Sequence, residues 1–137
     1  MYVIGINGGP RKGGNTRMLG NTILDTPKET GWETEFYQLG GQNIRGCQSC
    51  SGCFKSKDLT CAMKDDCFHE IYEKILKADA VLIGSPTFYS GVTSEVKALT
   101  DRAGYVSLAN NRALKGKIGA AVVAVRRGGA IHAYDTI

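Results

Sequence analysis

Three short stretches of the chain are apolar at nearly every position. They are YVIGIN (2–7), AVLIGS (80–85) and KIGAAVVAV (117–125). Strands of a parallel sheet are covered by helices on both faces, so both sets of their side chains are apolar. These stretches therefore predict three strands of a parallel sheet. A fourth stretch, WETEFYQL (32–39), alternates in polarity and predicts a strand at the edge of that sheet.

Helical spacing of apolar residues occurs between the predicted strands. The first helix is predicted to begin at Asn15 or Thr16, which can cap it, and to end at Pro27, because proline interrupts helical hydrogen bonding. Gly20 weakens this helix. Its core-facing residues are predicted to be Met18, Leu19, Thr22 and Ile23. Further helices are predicted at about 65–77, at about 92–104 and from about 130 onward.

Strands that alternate with helices in this way indicate a doubly wound α/β domain. The chain has 137 residues, which suits one domain, and it contains neither an internal repeat nor a linker. One long segment, about residues 40–64, has no regular pattern. Irregular segments of this length are usually functional. The chain is therefore expected to be a single domain that carries one functional loop.

Composition narrows the function classes. The hydrophobic fraction of 42% and the charged fraction of 22% are typical of a globular protein in water. The net charge is +4, but the basic residues are scattered, so nucleic-acid binding is not expected. No signal peptide and no bilayer-spanning run is recognised, so a cytoplasmic location without membrane association is expected. In that reducing compartment, clustered cysteines favour metal or redox chemistry over disulfides.

The segment after the first predicted strand, NGGPRKGGNTR (7–17), has the chemistry of an anion site. Its glycines let the backbone approach a ligand, and the following helix offers free N–H groups at its positive end. Arg11, Asn15 and Thr16 add charge and hydrogen-bond donors. The segment matches neither the dinucleotide nor the Walker glycine motif, so a single phosphate is expected. The alternative is a glycine-rich turn without a ligand.

Two more segments, SPTFYSG (85–91) and RRGG (126–129), also follow predicted strands. Ligands of doubly wound sheets bind beyond the carboxyl ends of the strands, where strand order reverses. Phe88 and Tyr89 could lie along a flat ligand, although such side chains are more often core, and RRGG could equally be a solvated basic turn. Together the three segments predict a site for a flat heterocycle that carries one phosphate.

All five cysteines of the chain lie in the segment CQSCSGCFKSKDLTCAMKDDC. Cys47, Cys50 and Cys53 form a C-x2-C-x2-C run, and Cys61 follows after seven residues. This spacing lets thiolates reach different corners of an iron–sulfur cubane. Four thiolates could also hold zinc, although two separated C-x2-C pairs are the usual zinc pattern. Free thiols without a metal are the third interpretation.

Taken in order, GINGGPRKGGNTRM, the cysteine run with the KDD that follows it, GSPTFYSGVTSEVKALTDR and RRGG resemble the NADPH-dependent FMN reductase superfamily. The pattern is most similar to the iron–sulfur flavoproteins of that superfamily and covers nearly the whole chain. The resemblance implies a flavodoxin-like, three-layer fold with parallel strand order 2-1-3-4-5 and FMN at the strand ends. It also implies a [4Fe-4S] cluster held by Cys47, Cys50, Cys53 and Cys61.

The same resemblance assigns FMN-binding residues to three loops. The phosphate would be held by Gly9, Pro10, Arg11, Asn15 and Thr16. The ribityl chain and isoalloxazine would be bordered by Ser85, Pro86, Thr87, Phe88 and Tyr89. The other side of the ring would face Arg127, Gly128 and Gly129. No catalytic side chain is implied, because the flavin carries the chemistry.

The chain departs from the family pattern at several points. Gly9 stands where the family usually has a serine hydroxyl, and Phe88 stands where tyrosine is common. Cys67 replaces a usual methionine and is expected to pack as an apolar side chain of the second helix. His69 and His132 are isolated and are expected at solvated positions. The family continues to a fifth strand, so the domain at 1–137 is expected to be C-terminally incomplete, with strand order 2-1-3-4.

The implied function is that of an FMN-dependent oxidoreductase that passes electrons between a [4Fe-4S] cluster and FMN. Ferredoxin or NAD(P)H would be the electron donor, and the chain would form a homodimer or homotetramer. The cysteine loop would approach the flavin of a neighbouring subunit. The alternatives are a cluster-free NAD(P)H-dependent FMN or quinone reductase and, from another class, a zinc-binding module without flavin.

Overall fold

The computed structural model describes residues 1–137, which form one parallel sheet and five helices. The strands are β1 (Tyr2–Asn7), β2 (Glu33–Gln38), β3 (Ala80–Pro86) and β4 (Ile118–Ala124). The helices are α1 (Asn15–Glu29), α2 (Gly52–Ser56), α3 (Phe68–Lys77), α4 (Ser94–Ala109) and α5 (Ala130–Thr136). The strand order is β2-β1-β3-β4, and every neighbouring pair is parallel. The predicted flavodoxin-like sheet is therefore confirmed, with β2 at an edge.

Helices cover β1 and β3 on both faces, as the apolar strands predict, but the prediction is wrong for β4, which lies at an edge of the sheet and has no buried residue. On one face, Ile4 and Ile6 of β1 pack with Phe68 and Ile71 of α3 and with Leu99 of α4. On the other face, a smaller cluster contains Val3, Leu24 of α1, Ala80 and Leu82. Full burial of each large apolar side chain stabilises the fold by about 1.5–3 kcal/mol. The core therefore lies between β1, β3, α3 and α4.

The predicted core face of α1 is wrong. Met18, Leu19 and Ile23 are 63%, 44% and 43% exposed, and Thr22 is exposed as well. The buried residues of this helix are Thr16, Gly20 and Leu24, four residues apart. Glycine is needed in the middle of this stripe, because a Cβ at Gly20 would lie 2.3 Å from Cζ of Phe36 on β2. The residue that weakens the isolated helix is thus the one that lets it pack closely on the sheet.

The predicted ends of the helices also need correction. Pro27 lies inside α1, which continues to Glu29, because the Pro27 carbonyl still accepts N–H bonds from Thr30 (3.2 Å) and Trp32 (3.0 Å). Helix α3 begins three residues later than expected, where the Phe68 N–H donates to the Asp66 carboxylate at 3.2 Å. Helix α4 passes through the exposed Gly104 to Ala109, since Ala103 and Val106 remain in the core. None of the helices has the length and apolarity needed to cross a bilayer.

Candidate functional site

Three loops meet at the carboxyl edge of the sheet. In the strand register, Asn7 of β1 pairs with Gly84 of β3, and Pro86 pairs with Ala124 of β4. Strand β2 lies on one side of β1, and β3 and then β4 lie on the other side. The strand order therefore reverses between β1 and β3. This is the place where doubly wound sheets bind ligands. The structure therefore brings the loops after β1, β3 and β4 together, as the sequence predicts.

The loop after β1 is fastened to β3 and α4 through its backbone. The Gly8 N–H donates to the Gly84 carbonyl at 2.7 Å, and the Thr93 hydroxyl donates to the Gly8 carbonyl at 3.0 Å. A Cβ at Gly8 would lie 2.2 Å from Cγ2 of Val96, so only glycine allows this approach. The position of the loop is therefore fixed by close backbone contact.

Two amide side chains, the buried Asn7 and the half-buried Gln38, shape the first turn of this loop. Asn7 accepts from the Gly9 N–H at 3.1 Å and donates to the Gln38 side chain at 2.7 Å. Gln38 in turn donates to the carbonyl oxygens of Gly9 (2.7 Å) and Gly40 (2.9 Å). Sequence reasoning missed both residues. The sequence feature that could have identified them is a polar side chain at the last position of a strand. Asn7 ends an apolar strand, and Gln38 ends an alternating one.

The beginning of α1 is open toward the ligand side of the loop. The N–H groups of residues 15–17 have no hydrogen-bond partner in the chain, and the cap residue Gly14 contributes no side chain. Thr16 is 4% exposed, and Asn15 and Arg11 are exposed. Free N–H groups and the positive end of the helix dipole attract anions. The phosphate-binding residues proposed from the sequence therefore lie around one helix start.

The loop after β3 holds its tip in an uncommon backbone conformation. Phe88 and Gly91 exchange two backbone hydrogen bonds of 2.9 and 3.0 Å around Tyr89 and Ser90. These two residues have φ angles of 47° and 63°, in the left-handed region that side chains other than glycine seldom adopt. The Tyr89 side chain is fully exposed and that of Phe88 is half exposed. Such strain is typical of ligand sites, where the surrounding structure maintains it.

The other residues predicted to bind FMN differ in burial and in the loop that carries them. Ser85 is buried, and its hydroxyl accepts from the Thr93 N–H (3.1 Å) and donates to the Pro86 carbonyl (2.8 Å), so it braces the loop from inside. Arg127 is exposed after β4, and Gly129 (φ 89°) lies against the loop of β3, where a Cβ would meet Cα of Ser90 at 2.4 Å. The other members, Pro10, Thr87 and Gly128, lie at the same edge.

The four proposed ligand cysteines line a second candidate site without converging on one point. Cys47, Cys50, Cys53 and Cys61 all line one cavity of about 130 Å³, which we call the cysteine cavity. All five thiols of the chain are free, and Cys67 lies outside the cavity at the start of α3. As the chain is folded here, no three His, Cys, Asp or Glu side chains are close enough to hold one metal ion. Four soft thiol donors around one cavity fit an iron–sulfur centre in their chemistry.

The segment that carries these cysteines, residues 40–67, contains structure that the sequence did not predict. Its short helix α2 packs on α4 through an edge-to-face contact of Phe54 with Tyr105, whose ring centroids are 6.4 Å apart. Gly52 faces Ala62, where a Cβ would approach to 2.9 Å. Left-handed φ angles of 50–63° occur at Ser49, Ser51, Lys57 and Leu59. The segment is thus folded back on itself at appreciable conformational cost.

Burial and neighbouring thiols shift the pKa of one of these cysteines. The pKa of Cys53 is raised by burial and, to a smaller extent, by the neighbouring thiols of Cys61 and Cys47. The Ser49 N–H lies 3.4 Å from Sγ of Cys47, as in an N–H···S contact. Burial is the larger cause and favours the neutral thiol, and a metal bound at these cysteines would displace their thiol protons.

A buried ion pair closes the base of this segment. The Arg102 guanidinium of α4 bonds to the Asp66 carboxylate, and both side chains are 0% exposed. Arg102 also donates to the carbonyl oxygens of Arg45 (3.2 Å) and Met63 (2.9 Å), one on each side of the cysteines. Burial alone would raise the pKa of Asp66, but the bonds from Arg102 and from the N–H groups of Arg45 and Phe68 outweigh it and lower that pKa. Sequence reasoning missed this pair.

His69 is not at the solvated position that the sequence suggested. Its Nε2 atom lies 3.1 Å from the Cys61 nitrogen and 3.0 Å from the Cys61 oxygen, and the ring is partly buried. Depending on its tautomer, the ring accepts from the amide or donates to the carbonyl. His69 therefore holds the backbone of Cys61, whereas His132 is exposed as expected.

Comparison with curated proteins finds relatives that are named iron–sulfur flavoproteins. One from Methanocaldococcus jannaschii is 37% identical over 139 residues, which are 100% of this chain and 69% of that protein. One from Archaeoglobus fulgidus is 38% identical over 97% of this chain and 64% of its own length. Another, from Methanosarcina thermophila, is 35% identical over 89% of this chain and 62% of its length. The chain thus spans about two thirds of the length of these relatives.

Solved structures share the fold at low sequence identity. A flavone reductase superposes with a TM-score of 0.66 at 24% identity over 91% of this chain and 43% of that one. An NAD(P)H:quinone oxidoreductase from Methanothermobacter marburgensis superposes with a TM-score of 0.65 at 21% identity over 91% of this chain and 64% of that one. The family model described as NADPH-dependent FMN reductase matches residues 1–137. The chain therefore belongs to the NADPH-dependent FMN reductase family of oxidoreductases.

Proposed function

We propose that the protein is an FMN-dependent redox protein that passes electrons between a [4Fe-4S] cluster and FMN. The observation that carries this proposal is the presence of two sites in one domain. One is an open cradle at the strand-order reversal, and the other is a cavity lined by four free thiols. The names of the curated relatives agree with this pair of sites.

FMN would use the cradle through backbone and side-chain groups of three loops. The free N–H groups of residues 15–17 and the Thr16 hydroxyl would bind the phosphate, and the exposed Arg11 would add charge. Since Gly9 offers no hydroxyl, backbone donors take its part. The remaining residues assigned to the flavin are Gly9, Pro10, Asn15, Ser85, Pro86, Thr87, Phe88, Tyr89, Arg127, Gly128 and Gly129.

The flavin supplies two-electron chemistry and the cluster supplies one-electron transfer. The residues of the chain bind and orient these groups: Cys47, Cys50, Cys53 and Cys61 would hold the cluster, and the loops would position the ring. A reduced nicotinamide or ferredoxin would deliver electrons, and two or four copies of the chain would assemble. A cytoplasmic location suits five free thiols, because that compartment keeps them reduced.

A cluster-free NAD(P)H-dependent FMN or quinone reductase is the second candidate. It is favoured by the fold likeness to an NAD(P)H:quinone oxidoreductase and by the separation of the thiols in the folded chain. In that case the cysteine cavity would hold no metal, and electrons would move between nicotinamide, flavin and acceptor only.

Anaerobic purification followed by flavin, iron and acid-labile sulfide analysis separates the candidates. The cluster proposal requires about four iron and four sulfide per chain together with one FMN and broad iron–sulfide absorption. One FMN without iron would support the second candidate. A colourless protein with stoichiometric zinc would contradict both and indicate the zinc-binding module instead.

A further inference from the structure

The loop after β1 contains a peptide unit that can only accept hydrogen bonds. A peptide unit normally carries both an N–H donor and a carbonyl acceptor. Because proline has no N–H, the unit between Gly9 and Pro10 carries the acceptor alone. Phosphate oxygens are acceptors as well, so a carbonyl oxygen that faced a bound phosphate would repel it. The direction of the Gly9 carbonyl therefore matters for anion binding at this loop.

The Gly9 carbonyl points toward β2, where Gln38 holds it. Nε2 of Gln38 donates to the Gly9 oxygen at 2.7 Å and to the Gly40 oxygen at 2.9 Å. Oε1 of the same amide accepts from Asn7 at 2.7 Å. A Cβ at Gly40 would lie 2.3 Å from the Gly9 oxygen, so the Gly40 backbone lies directly against it. The donors of the Gln38 amide are thus used to fix two carbonyl oxygens.

The groups on the other side of the turn are donors. The Gly8 carbonyl is already occupied, because it accepts from the Thr93 hydroxyl at 3.0 Å. A Cβ at Gly9 would lie 3.3 Å from Oγ1 of Thr16, so Gly9 borders the beginning of α1. There the N–H groups of residues 15–17 have no partner in the chain. The turn therefore bonds its acceptors to the protein and leaves donors for a ligand.

We propose that Gln38 is a positioning residue for the flavin phosphate and makes the cradle select flavins that carry this group. The inference rests on the proposed function. Gln38 acts through Gly9, because it keeps the Gly9 oxygen on the β2 side of the loop and away from the anion. Without this bond the oxygen is free to turn toward the beginning of α1, where it would repel the phosphate. The phosphate of the flavin is affected, whereas the ring is not.

The test compares the affinities of the apoprotein for FMN and for riboflavin, which lacks the phosphate, by fluorescence titration. Gln38→Met keeps the length of the side chain and removes its donors, and Gln38→Glu also keeps an acceptor for Asn7. Gln38→Met is expected to lower the affinity for FMN about tenfold, the equivalent of one to two hydrogen bonds. Gln38→Glu is expected to lower it further, since its carboxylate adds negative charge. The affinity for riboflavin should stay near that of the wild type in both variants.

The phosphorus nuclear magnetic resonance signal of bound FMN provides a second readout, which a merely structural role would not move. It is expected to shift in Gln38→Met. The matched control is Gln42→Met, which replaces an exposed glutamine of the following segment and should change neither the affinities nor the signal. If riboflavin binds the wild type too weakly to measure, the phosphorus signal decides.

Two results would overturn the inference and leave the proposed function intact. One is an equal loss of affinity for FMN and riboflavin in Gln38→Met with an unmoved phosphorus signal, since Gln38 would then only maintain the loop. The other is an unchanged affinity for FMN in Gln38→Met and Gln38→Glu. If Gln38→Met does not fold, Gln38→Glu decides, because it keeps the bond to Asn7. Wild-type protein that binds neither flavin would overturn the proposed function as well.

Discussion

The flavin-type cradle and the cysteine segment are held in place by different kinds of interaction. The cradle lies at the ends of regular strands, and its loops are fixed by backbone hydrogen bonds and by glycines such as Gly8. The cysteine segment, residues 40–67, contains one short helix and four left-handed residues other than glycine, and a single buried arginine ties both of its ends to α4. Sheet topology therefore places the first site, and several short side-chain bonds brace it, whereas the second site depends largely on one long side chain.

The largest expected effect is the loss of iron on replacement of one ligand in the cysteine cavity. Cys50→Ser is expected to remove most of the iron and sulfide, because a serine hydroxyl is a poor ligand for iron–sulfur centres. FMN content should stay near one per chain, since the cradle shares no residue with the cavity. Iron, sulfide and flavin analysis after anaerobic purification measures this.

Cys67→Ser is the control for Cys50→Ser, because Cys67 lies outside the cavity. It is expected to keep its iron. If Cys67→Ser lost iron and Cys50→Ser kept it, the ligand set proposed here would be wrong.

The buried pair is expected to have the next largest effect, on the stability of the fold. Asp66→Asn leaves the Arg102 charge buried without its counter-ion, which should lower the free energy of unfolding by about 3–5 kcal/mol. Asp65→Asn breaks an exposed pair with Arg45 and should cost at most about 1 kcal/mol. Urea unfolding of both variants gives the comparison. Equal losses in the two variants would show that Arg102 does not close the segment.

The same pair predicts how stability changes in acid. The pKa of Asp66 is lowered in the folded protein from its usual value near 3.8. The carboxylate therefore stabilises the fold fully above about pH 4, and this contribution is lost as pH falls through the lowered pKa. The stability difference between wild type and Asp66→Asn should be constant from pH 7 to pH 5 and should shrink below pH 4. A difference that stays constant down to pH 2 would contradict this assignment.

A smaller effect is expected in the cradle, where backbone donors share the binding of phosphate. Thr16→Val removes one hydroxyl at nearly constant volume and should weaken FMN binding about threefold to tenfold, the equivalent of one hydrogen bond. Thr22→Val is the control, because that hydroxyl is exposed and bonds to the Met18 carbonyl on the same helix. Fluorescence titration of FMN into the apoprotein measures both. Similar affinities in the two variants would exclude Thr16 from the phosphate site.

The smallest expected effect concerns backbone strain at the tip of the loop after β3. Ser90→Gly relieves a left-handed residue and should stabilise the fold by about 0.5–1 kcal/mol after the entropy cost of glycine. Arg112→Gly relieves a similar residue (φ 57°) outside the cradle and should give the same gain. Only Ser90→Gly is expected to weaken FMN binding, because it loosens the loop that would border the ring. Thermal unfolding with and without FMN distinguishes the two variants.

The sequence predicts the cradle much better than the cysteine segment, for a physical reason. Apolar runs determine which stretches become strands, and parallel strands bring their carboxyl ends to one edge of the sheet. The positions of Thr16 and Phe88 at that edge therefore follow from the sequence. The spacing of Cys47 to Cys61 predicts a metal centre, but no local pattern reveals α2 or the Arg102 pair. Helical spacing places an arginine on a helix without telling whether it is buried. Similarly, the core face of α1 depends on Gly20 and Phe36, which meet only in the folded chain.

The long sequence separation between Arg102 and its partners has a consequence for the synthesis of the protein. Arg102 follows Asp66 by 36 residues and Arg45 by 57 residues along the chain. Ribosomes add about 5–20 residues per second, so the last cysteine is made roughly 2–7 s before the arginine that closes the segment. During that interval the thiols emerge without their anchor and are open to solvent. The proposed centre would therefore meet two different forms of the same loop, depending on whether it were loaded during translation or after folding.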